Sequence, residues 1–404
     1  MLKKKRNNRF LIVALIIVSL FLTISAIYFI MNKNDSEPSS NTVNKETIEN
    51  DENNDIAKEI STVSLAAVGD IMFHDDQLAS AYVDENTYDF SSMFEDVKPL
   101  LSEYDVTLAN FETTMAGDSL KFTGYPQFNS PDEVADAIKE AGVDILTTAN
   151  NHSLDTKDVG LKRTVDVLQE KGFKTVGSYS EKPESRVLLH EANDIQFAIL
   201  SYTESTNGLG DHYPADELHS MLNLMTKENI ERDVKEAKEL GVDFIITFMH
   251  WGEEYMSEPN ETQIDYANFM AEQGVDLILG SHPHVIQRTD TIKSQKQETF
   301  VVYSMGNFVS NQRVETLGDE FARTEDGVIV HFTIEKNHKT DETTIENVDF
   351  IPTWVYKIIN PDTNKPEYRI LPIDDNLNNE DISEAFKVRM EQSYDATMSQ
   401  LKAN

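Results

Sequence analysis

The segment GVDLILGSHPH, residues 274–284, contains the strongest structural signal in the sequence. It begins with a glycine where a helix would end, continues with an apolar run that is too short for a helix but long enough for a buried strand, and closes with histidines. Further copies are GVDILTTANNH at residues 142–152 and GVDFIITFMHWG at residues 241–252. This repeated order of helix and strand is typical of an α/β fold with parallel strands.

Histidines follow the apolar runs of all these copies. Ligands of parallel α/β sheets bind at the carboxyl ends of the strands. Four of the ten histidines lie there, namely His152, His250, His282 and His284. A single histidine at such a position would more often be a core residue with its hydrogen bonds satisfied. Four at equivalent positions predict a shared functional site.

Further polar residues follow two earlier apolar runs. Asp70 follows the run at residues 62–68, and Asn110 and Glu112 follow the run at residues 106–109. Both runs have the length and composition of buried strands. These side chains are therefore expected at the same kind of strand end as the histidines.

Together, the strand-end residues have the chemistry of a metal site. Carboxylate and amide oxygens mixed with imidazoles suit manganese, iron or zinc, whereas calcium alone would require only oxygen ligands. Side chains alternate in an extended segment, so those of His282 and His284 point the same way. Ser153 and Asp155 are instead expected to cap the helix that follows them. The predicted metal ligands are Asp70, Glu112, Asn151, His250, His282 and His284.

The N-terminus has the pattern of a membrane anchor. Five basic residues precede or flank an uncharged apolar run at residues 10–31, which is long enough to cross a hydrocarbon core of about 30 Å. Basic residues stay on the cytoplasmic side, so we expect a single-pass protein of the cell membrane whose C-terminal domain is extracellular. A cleaved signal peptide would have a shorter apolar region and a small-residue cleavage site. Whether the anchor is ever cleaved stays open.

The sequence divides into four predicted segments. Residues 1–31 are the basic segment and transmembrane anchor. Residues 32–60 are a disordered polar and acidic linker, since they cannot bury enough apolar surface to fold. Residues 61–373 are one large domain, because strands and turns continue without a second linker. Residues 374–404 form a C-terminal amphipathic helix.

Charge and cysteine content exclude several kinds of partner. The chain has 71 acidic and 35 basic residues and a formal net charge of −36. Such a surface repels nucleic acid and anionic lipid unless a local cationic centre intervenes. Metal ions held by Asp70 and Glu112 would supply one, because charges farther away than about 8 Å are screened. The absence of cysteine excludes disulfides and a lipid-modified cysteine.

A series of short motifs runs through about residues 64–310. In order, they are Gly69-Asp70-Ile71-Met72, Asn110-Phe111-Glu112, Ala149-Asn150-Asn151-His152-Ser153-Leu154-Asp155, His250-Trp251-Gly252-Glu253-Glu254-Tyr255, Gly280-Ser281-His282-Pro283-His284-Val285-Ile286-Gln287 and Tyr303-Ser304-Met305-Gly306-Asn307-Phe308. This combination resembles the CapA family of bacterial capsule and poly-γ-glutamate synthesis proteins. The resemblance implies a calcineurin-like metallophosphatase fold, an αββα sandwich with an N-terminal transmembrane helix. It also implies that the partners are other capsule-synthesis membrane proteins and an anionic polymer.

By position, the resemblance also implies roles for the candidate residues. The implied metal ligands are Asp70 at a first metal, Glu112 between two metals, Asn151 and His250 at a second, and His282 and His284 as a closing pair. His152 would be the catalytic residue beside the leaving oxygen. Met72 stands where the superfamily has a histidine, so His74 and Asn110 are additional candidates. Whether one divalent metal or two are bound stays open.

Two functions of different classes remain. The favoured one is a non-catalytic subunit for capsule or poly-γ-glutamate synthesis or export, which binds or guides an anionic polymer outside the membrane. The alternative is an active metal-dependent phosphoesterase or hydrolase that acts on an extracellular phosphoester or polymer, with His152 protonating or stabilising the departing oxygen. An ATP-dependent ligase is excluded, because the sequence has no Gly-rich phosphate loop followed by Lys and Ser or Thr.

Overall fold

The computed structural model describes residues 59–85 and 87–401. The predicted anchor at residues 1–31, and all but the end of the predicted linker at residues 32–60, lie outside this part of the chain. Among the described residues, no helix combines the length and the apolar composition that a bilayer crossing requires.

Strands and helices alternate over most of the described chain. In chain order, the strands are β1 (Ile60–Ile71), β2 (Tyr82–Asp84), β3 (Thr87–Tyr88), β4 (Val106–Phe111), β5 (Ile145–Thr147), β6 (Lys174–Val176), β7 (Leu188–Ala192), β8 (Ile195–Thr203), β9 (Phe244–His250), β10 (Leu277–Ser281), β11 (Thr289–Lys293), β12 (Glu298–Val302), β13 (Asn307–Val309), β14 (Asp326–Asn337), β15 (Glu342–Ile359) and β16 (Pro366–Pro372).

The helices connect these strands and cover the sheets. They are α1 (Asp75–Ala81), α2 (Ser91–Phe94), α3 (Lys98–Leu101), α4 (Glu133–Glu140), α5 (Lys157–Glu170), α6 (Ala215–Met221), α7 (Lys227–Glu239), α8 (Glu261–Gln273), α9 (Val314–Leu317), α10 (Ile373–Asn376) and α11 (Glu384–Leu401). Short 3₁₀ turns lie at Leu209–His212 and Asp319–Glu325. Within the segment predicted as a C-terminal amphipathic helix, the helical part is α10 and α11.

The GVD motifs form the helix-to-strand junctions that the sequence predicts. Gly142, Gly241 and Gly274 follow α4, α7 and α8, and each has a positive φ. Glycine adopts this conformation without the steric cost that a side chain would add. The apolar runs that follow are β5, β9 and β10, so all the motifs lead directly into strands.

The strands form two large sheets with parallel centres. In the first, the order is β16, β15, β14, β1, β4, β5 and β6, and β13 also pairs with β1. Strands β1, β4, β5 and β6 run parallel, whereas β14 to β16 add an antiparallel flank. In the second, the order is β11, β12, β10, β9, β8 and β7, and β8, β9, β10 and β12 run parallel.

Alternating residues of β1 pack into two different hydrophobic clusters. Leu65 lies between the sheets, in a cluster that includes Leu279 of β10. The next residue, Ala66, faces the opposite side and belongs to a cluster that includes Ile138 of α4. Successive side chains of a strand point to opposite faces, so the first sheet is covered by the second sheet on one face and by helices on the other.

Helices also cover the outer face of the second sheet. Val234 of α7 and Met270 of α8 pack in one cluster with Ile245 of β9. In the antiparallel flank of the first sheet, Met390 of α11 packs with Trp354 of β15. The mixed α/β fold predicted from the sequence is therefore confirmed, with helices on the outer faces of two packed sheets.

Candidate metal centre

Polar side chains from parallel strands of both sheets converge at one place. In the first sheet, Asp70 of β1 pairs in register with Asn110 of β4. In the second sheet, His250 of β9 pairs with Ser281 of β10. Nδ2 of Asn110 lies 3.3 Å from Nδ1 of His250, so the carboxyl ends of the two sets of strands meet across the sandwich.

Two overlapping groups of potential metal ligands occupy this place. One ligand atom from each of Asp70, Glu112 and His250 lies within 4.8 Å of the others, and the same holds for Glu112, His282 and His284. Glu112 belongs to both groups. Asp70 and Glu112 are 0% exposed, and His250 and His284 are 2% and 1% exposed. The convergence therefore takes place in the interior, where isolated charges are costly.

Asp70 is held by several donors. Nδ2 of Asn110 donates to Oδ1 at 2.7 Å, and the backbone N–H of His282 donates to Oδ2 at 3.2 Å. Nδ1 of His284 lies 3.1 Å from the same Oδ2. Burial opposes ionisation of Asp70, but the neighbouring imidazoles and Asn110 outweigh it and hold the pKa below its usual range.

Glu112 has the least satisfied carboxylate of the cluster. Oε2 accepts a 3.3 Å hydrogen bond from Asn110, while Oε1 is buried and has no hydrogen-bond partner among the described residues. Oε1 lies 3.4 Å from Nε2 of His250 and 3.9 Å from Nε2 of His284. Burial and the nearby charge of Asp70 raise the pKa of Glu112 well above its usual range.

The histidines of the cluster differ in protonation. Burial lowers the pKa of His250 to about 3 and that of His282 well below its usual range, so both rings are neutral and can offer a nitrogen lone pair. Burial acts in the same direction on His284, but the carboxylates of Glu112 and Asp70 outweigh it and raise the pKa to about 9. Metal binding would therefore have to displace a proton from His284.

His250 also joins Asn151 to the cluster. Nε2 of His250 lies 3.0 Å from Oδ1 of Asn151, and Nδ1 lies 3.0 Å from Oγ of Ser281. The amide oxygen of Asn151 thus lies beside the first donor group. All six predicted metal ligands are brought together by the fold.

His152 lies beside the cluster but outside both donor groups. Its Nδ1 lies 2.8 Å from Oδ2 of Asp155, and the same oxygen accepts a 2.7 Å hydrogen bond from the backbone N–H of Phe128. The Phe128 ring packs edge-on against the imidazole, with centroids 4.7 Å apart. Burial disfavours a charged His152, but the hydrogen bond and charge of Asp155 outweigh burial and raise its pKa.

Residues 64–312 match a family model described as bacterial capsule synthesis protein PGA_cap. The chain belongs to this family. The resemblance read from the short motifs is therefore confirmed. Both donor groups, His152 and Asp155 lie inside the PGA_cap match, so the centre is part of the segment that defines membership.

Two Bacillus proteins are similar over the same part of the chain. The capsule biosynthesis protein CapA of Bacillus anthracis is 28% identical over 289 residues, which cover 69% of this chain and 66% of that protein. The PGA biosynthesis protein CapA of Bacillus subtilis strain 168 is 27% identical over 285 residues, which cover 68% of each chain. The match thus spans about two thirds of the length of these relatives. Among solved structures, the calcineurin-like phosphoesterase YfkN of Bacillus subtilis aligns with a TM-score of 0.43 at 13% identity, covering 84% of this chain and 98% of that one.

The residues of this PGA_cap centre fit a divalent metal. Oε1 of Glu112 and Nδ1 of His282 are both buried without a hydrogen-bond partner among the described residues. Buried polar atoms without a partner are costly, and a bound cation would satisfy both. The mixture of carboxylate, amide and imidazole ligands suits a transition metal.

The additional candidates His74 and Asn110 have different positions. Asn110 hydrogen bonds within the cluster, as described above. His74 precedes α1, and its Nδ1 accepts a 3.2 Å hydrogen bond from the backbone N–H of Asn311. Burial lowers the pKa of His74 to about 4. His74 belongs to neither donor group.

The predicted role of Asp155 as a cap of α5 is wrong. The residue at the N-cap position is Thr156, and Asp155 instead binds His152 and Phe128. The Ser-x-Asp spacing favours a cap, yet the tertiary contact with the loop around Phe128 takes the carboxylate away from the helix.

Asn307 is a site residue that sequence reasoning missed. Its Oδ1 lies 3.0 Å from Nδ1 of His284, and its Nδ2 donates to Gln312 and to the backbone oxygen of Thr324. These two hydrogen bonds fix the amide so that its oxygen faces His284. The sequence does contain one signal for Asn307, because this residue directly follows Gly306 in the motif at residues 303–308.

Proposed function

We propose that this chain acts in capsule or poly-γ-glutamate synthesis or export at the outer face of the cell membrane, and that it uses a divalent metal held in the buried centre. One observation carries the proposal. Oε1 of Glu112 is buried and unsatisfied, and it belongs to both donor groups of a chain of the PGA_cap family. The names of the two Bacillus relatives support the assignment to capsule and poly-γ-glutamate synthesis.

The metal would be held by residues of both sheets. Asp70, Glu112 and His250 form one set of ligands, and Glu112, His282 and His284 form the other, with Asn151 beside the first. When bound, one or two ions of manganese, iron or zinc would supply positive charge and Lewis acidity at this point. Asn110 and Asn307 hold Asp70 and His284 in place through their amide groups.

The chain's overall charge makes a bound metal necessary for anion binding at this centre. With a formal net charge of −36, the surface repels phosphate and polyglutamate alike. Charges more than about 8 Å away are screened at physiological ionic strength, so the sign of the local charge decides whether an anion binds at the centre. An anionic polymer or phosphoester is therefore expected to bind at the loaded centre and not at the metal-free one.

A second function, metal-dependent hydrolysis of a phosphoester or polymer, is favoured by one observation. His152 is buried beside the centre and binds Asp155 through Nδ1, so Nε2 is the ring nitrogen that remains for a substrate. The raised pKa of His152 keeps more of the ring protonated near neutral pH. A protonated imidazole in this place can donate a proton to a departing oxygen.

The proposal is tested by comparing metal content and capsule yield on the same variants. His282→Ala/His284→Ala should lose most bound metal, keep its far-ultraviolet circular dichroism, and fail to restore capsule to a strain that lacks the gene. His219→Ala is the matched control, because this exposed histidine lies on α6 outside the centre. Full capsule with a metal-free double variant would refute the proposal.

A further inference from the structure

A large cavity lies beside the pair formed by His152 and Asp155. Its volume is about 870 Å³, and Asp155 contributes to its lining. The rest of the lining comes from residues 120–129, from the start of α5 and from residues 209–213. No residue of the two donor groups lines it. The cavity is therefore distinct from the metal centre and is joined to it through one hydrogen-bonded pair of side chains.

The cavity is lined by basic residues although the chain is strongly acidic. Lys121, Lys157 and His212 contribute to the lining and are exposed. Neither lysine forms an ion pair with a described carboxylate, whereas most other lysines and arginines of the described chain do. The single acidic residue of the lining is Asp155, and its Oδ2 is already occupied by His152 and by the N–H of Phe128. The free charge of the cavity is therefore positive.

Apolar side chains also line the cavity. Leu120 and Val159 line the cavity and are 49% and 72% exposed. Leu154 and Leu209 add further apolar surface. Exposed apolar surface of this kind is favourable to cover with a ligand. A small inorganic anion would leave it uncovered, whereas a chain of methylene groups that bears carboxylates would satisfy both the cations and the apolar surface.

The first turn of α5 adds to the positive potential. Thr156, the N-cap residue, makes no side-chain hydrogen bond to the helix, and its hydroxyl donates to Thr114 at 2.7 Å instead. Both Thr156 and Lys157 line the cavity. The N-terminal end of α5 therefore borders the same space as the lysines, where its dipole favours an anionic group. In this turn the N–H of Asp158 already donates to the hydroxyl of Tyr213.

We propose that this cavity binds a short segment of γ-linked polyglutamate, with carboxylates at Lys121 and Lys157 and methylene groups against Leu120 and Val159. This inference rests on the proposed function, since it names the polymer class that the centre serves. The bound segment lies next to Asp155 and His152, so the cavity would hold the polymer beside the metal centre independently of the metal.

The test measures binding of a fluorescent γ-linked glutamate oligomer to the full-length protein in detergent micelles. Lys121→Met/Lys157→Met keeps the aliphatic stems and removes both charges, and it should weaken binding by about tenfold, because each exposed charge pair contributes a factor of about three. Lys182→Met/Lys296→Met is the matched control. It removes the same charge from exposed positions outside the cavity and should change affinity by less than about twofold.

The metal-site variant separates this inference from the proposed function. With EDTA present, so that only metal-independent binding is measured, His282→Ala/His284→Ala should bind the oligomer as the unmodified protein does. Absence of oligomer binding by the unmodified protein, or equal losses in the two lysine pairs, would overturn the inference and leave the capsule assignment standing. Tighter binding of inorganic polyphosphate through the same two lysines would contradict the proposal that the ligand is a carboxylate polymer. Normal capsule yield with metal-free His282→Ala/His284→Ala would instead contradict the proposed function.

Discussion

Nδ1 of His152 lies 2.8 Å from Oδ2 of Asp155, and this contact links the metal centre to the cavity that Lys121 and Lys157 line. His152 is close enough to Glu112 for that carboxylate to contribute to its raised pKa. Asp155 lies in the wall of the cavity and fixes which ring nitrogen of His152 faces away from it.

Replacement of His152 separates the two functions. If the protein is a hydrolase, His152→Ala should retain its metal and lose roughly 10² to 10⁴ in turnover, the range typical of a positioned acid or base. If it is an assembly subunit, the same variant should support near-normal capsule. Metal content, phosphoester turnover and capsule yield should be measured together. A metal-replete variant that loses capsule in proportion to turnover would contradict the non-catalytic role.

Replacement of Asp155 tests the hydrogen-bonded pair through pH dependence. In a hydrolase that uses protonated His152 as acid, activity falls as pH rises through the pKa of His152. Asp155 raises that pKa, so Asp155→Asn should move the alkaline limb of the kcat profile to lower pH. Asp158→Asn, in the first turn of α5, is the control that should leave the limb in place. An unshifted limb in Asp155→Asn would show that the pair does not set the protonation of His152.

The location of the centre could be predicted from the sequence because its signals are local. The GVD motifs mark helix ends and strands within a dozen residues, and strand ends carry the ligands in parallel α/β folds. These signals predict the positions of His250 and His282, which lie at the end of β9 and directly after β10. What the motifs did not reveal is that β5 belongs to one sheet and β9 and β10 to the other, since pairing depends on contacts far apart in the chain.

The features that local sequence patterns do not predict all depend on contacts between residues far apart in the chain. Asn307 faces His284 because Gln312 and Thr324 orient its amide. Asp155 does not cap α5 because its carboxylate accepts a hydrogen bond from the N–H of Phe128, 27 residues earlier in the chain. The cavity likewise forms only where the loop before α4 packs against the start of α5. No local pattern of residues encodes these arrangements.

The core between the sheets should set the stability of the domain. Leu279 of β10 is fully buried there, and Leu279→Ala should lower the free energy of unfolding by about 2 to 5 kcal/mol through lost contacts and a residual cavity. Leu240 is 48% exposed after α7, and Leu240→Ala should change the free energy by no more than about 0.5 kcal/mol. Urea unfolding of both variants measures the difference. Equal effects would show that the two-sheet core is not the main source of stability.

Metal binding should release protons at neutral pH. The pKa of His284 is raised to about 9, so at neutral pH this imidazole holds a proton that a metal must displace. Affinity should therefore rise with pH up to about 9, by as much as about tenfold per pH unit for each proton released. Titration calorimetry with Mn²⁺ or Zn²⁺ in buffers of different ionisation enthalpy counts these protons. Metal binding with no proton release at pH 7 would contradict the arrangement of charges described here.

The proposed location at the outer face of the membrane is tested by protease accessibility. Basic residues before an uncharged apolar run of membrane length predict that the folded domain lies outside the cell. Protease added to intact cells without their wall should remove the domain and leave a short N-terminal fragment with the membrane. An epitope tag placed before Met1 should stay protected until the cells are lysed, which serves as the control for intact membranes. A domain that resists protease until lysis would reverse the orientation and, with it, the proposal that the chain meets its polymer outside the cell.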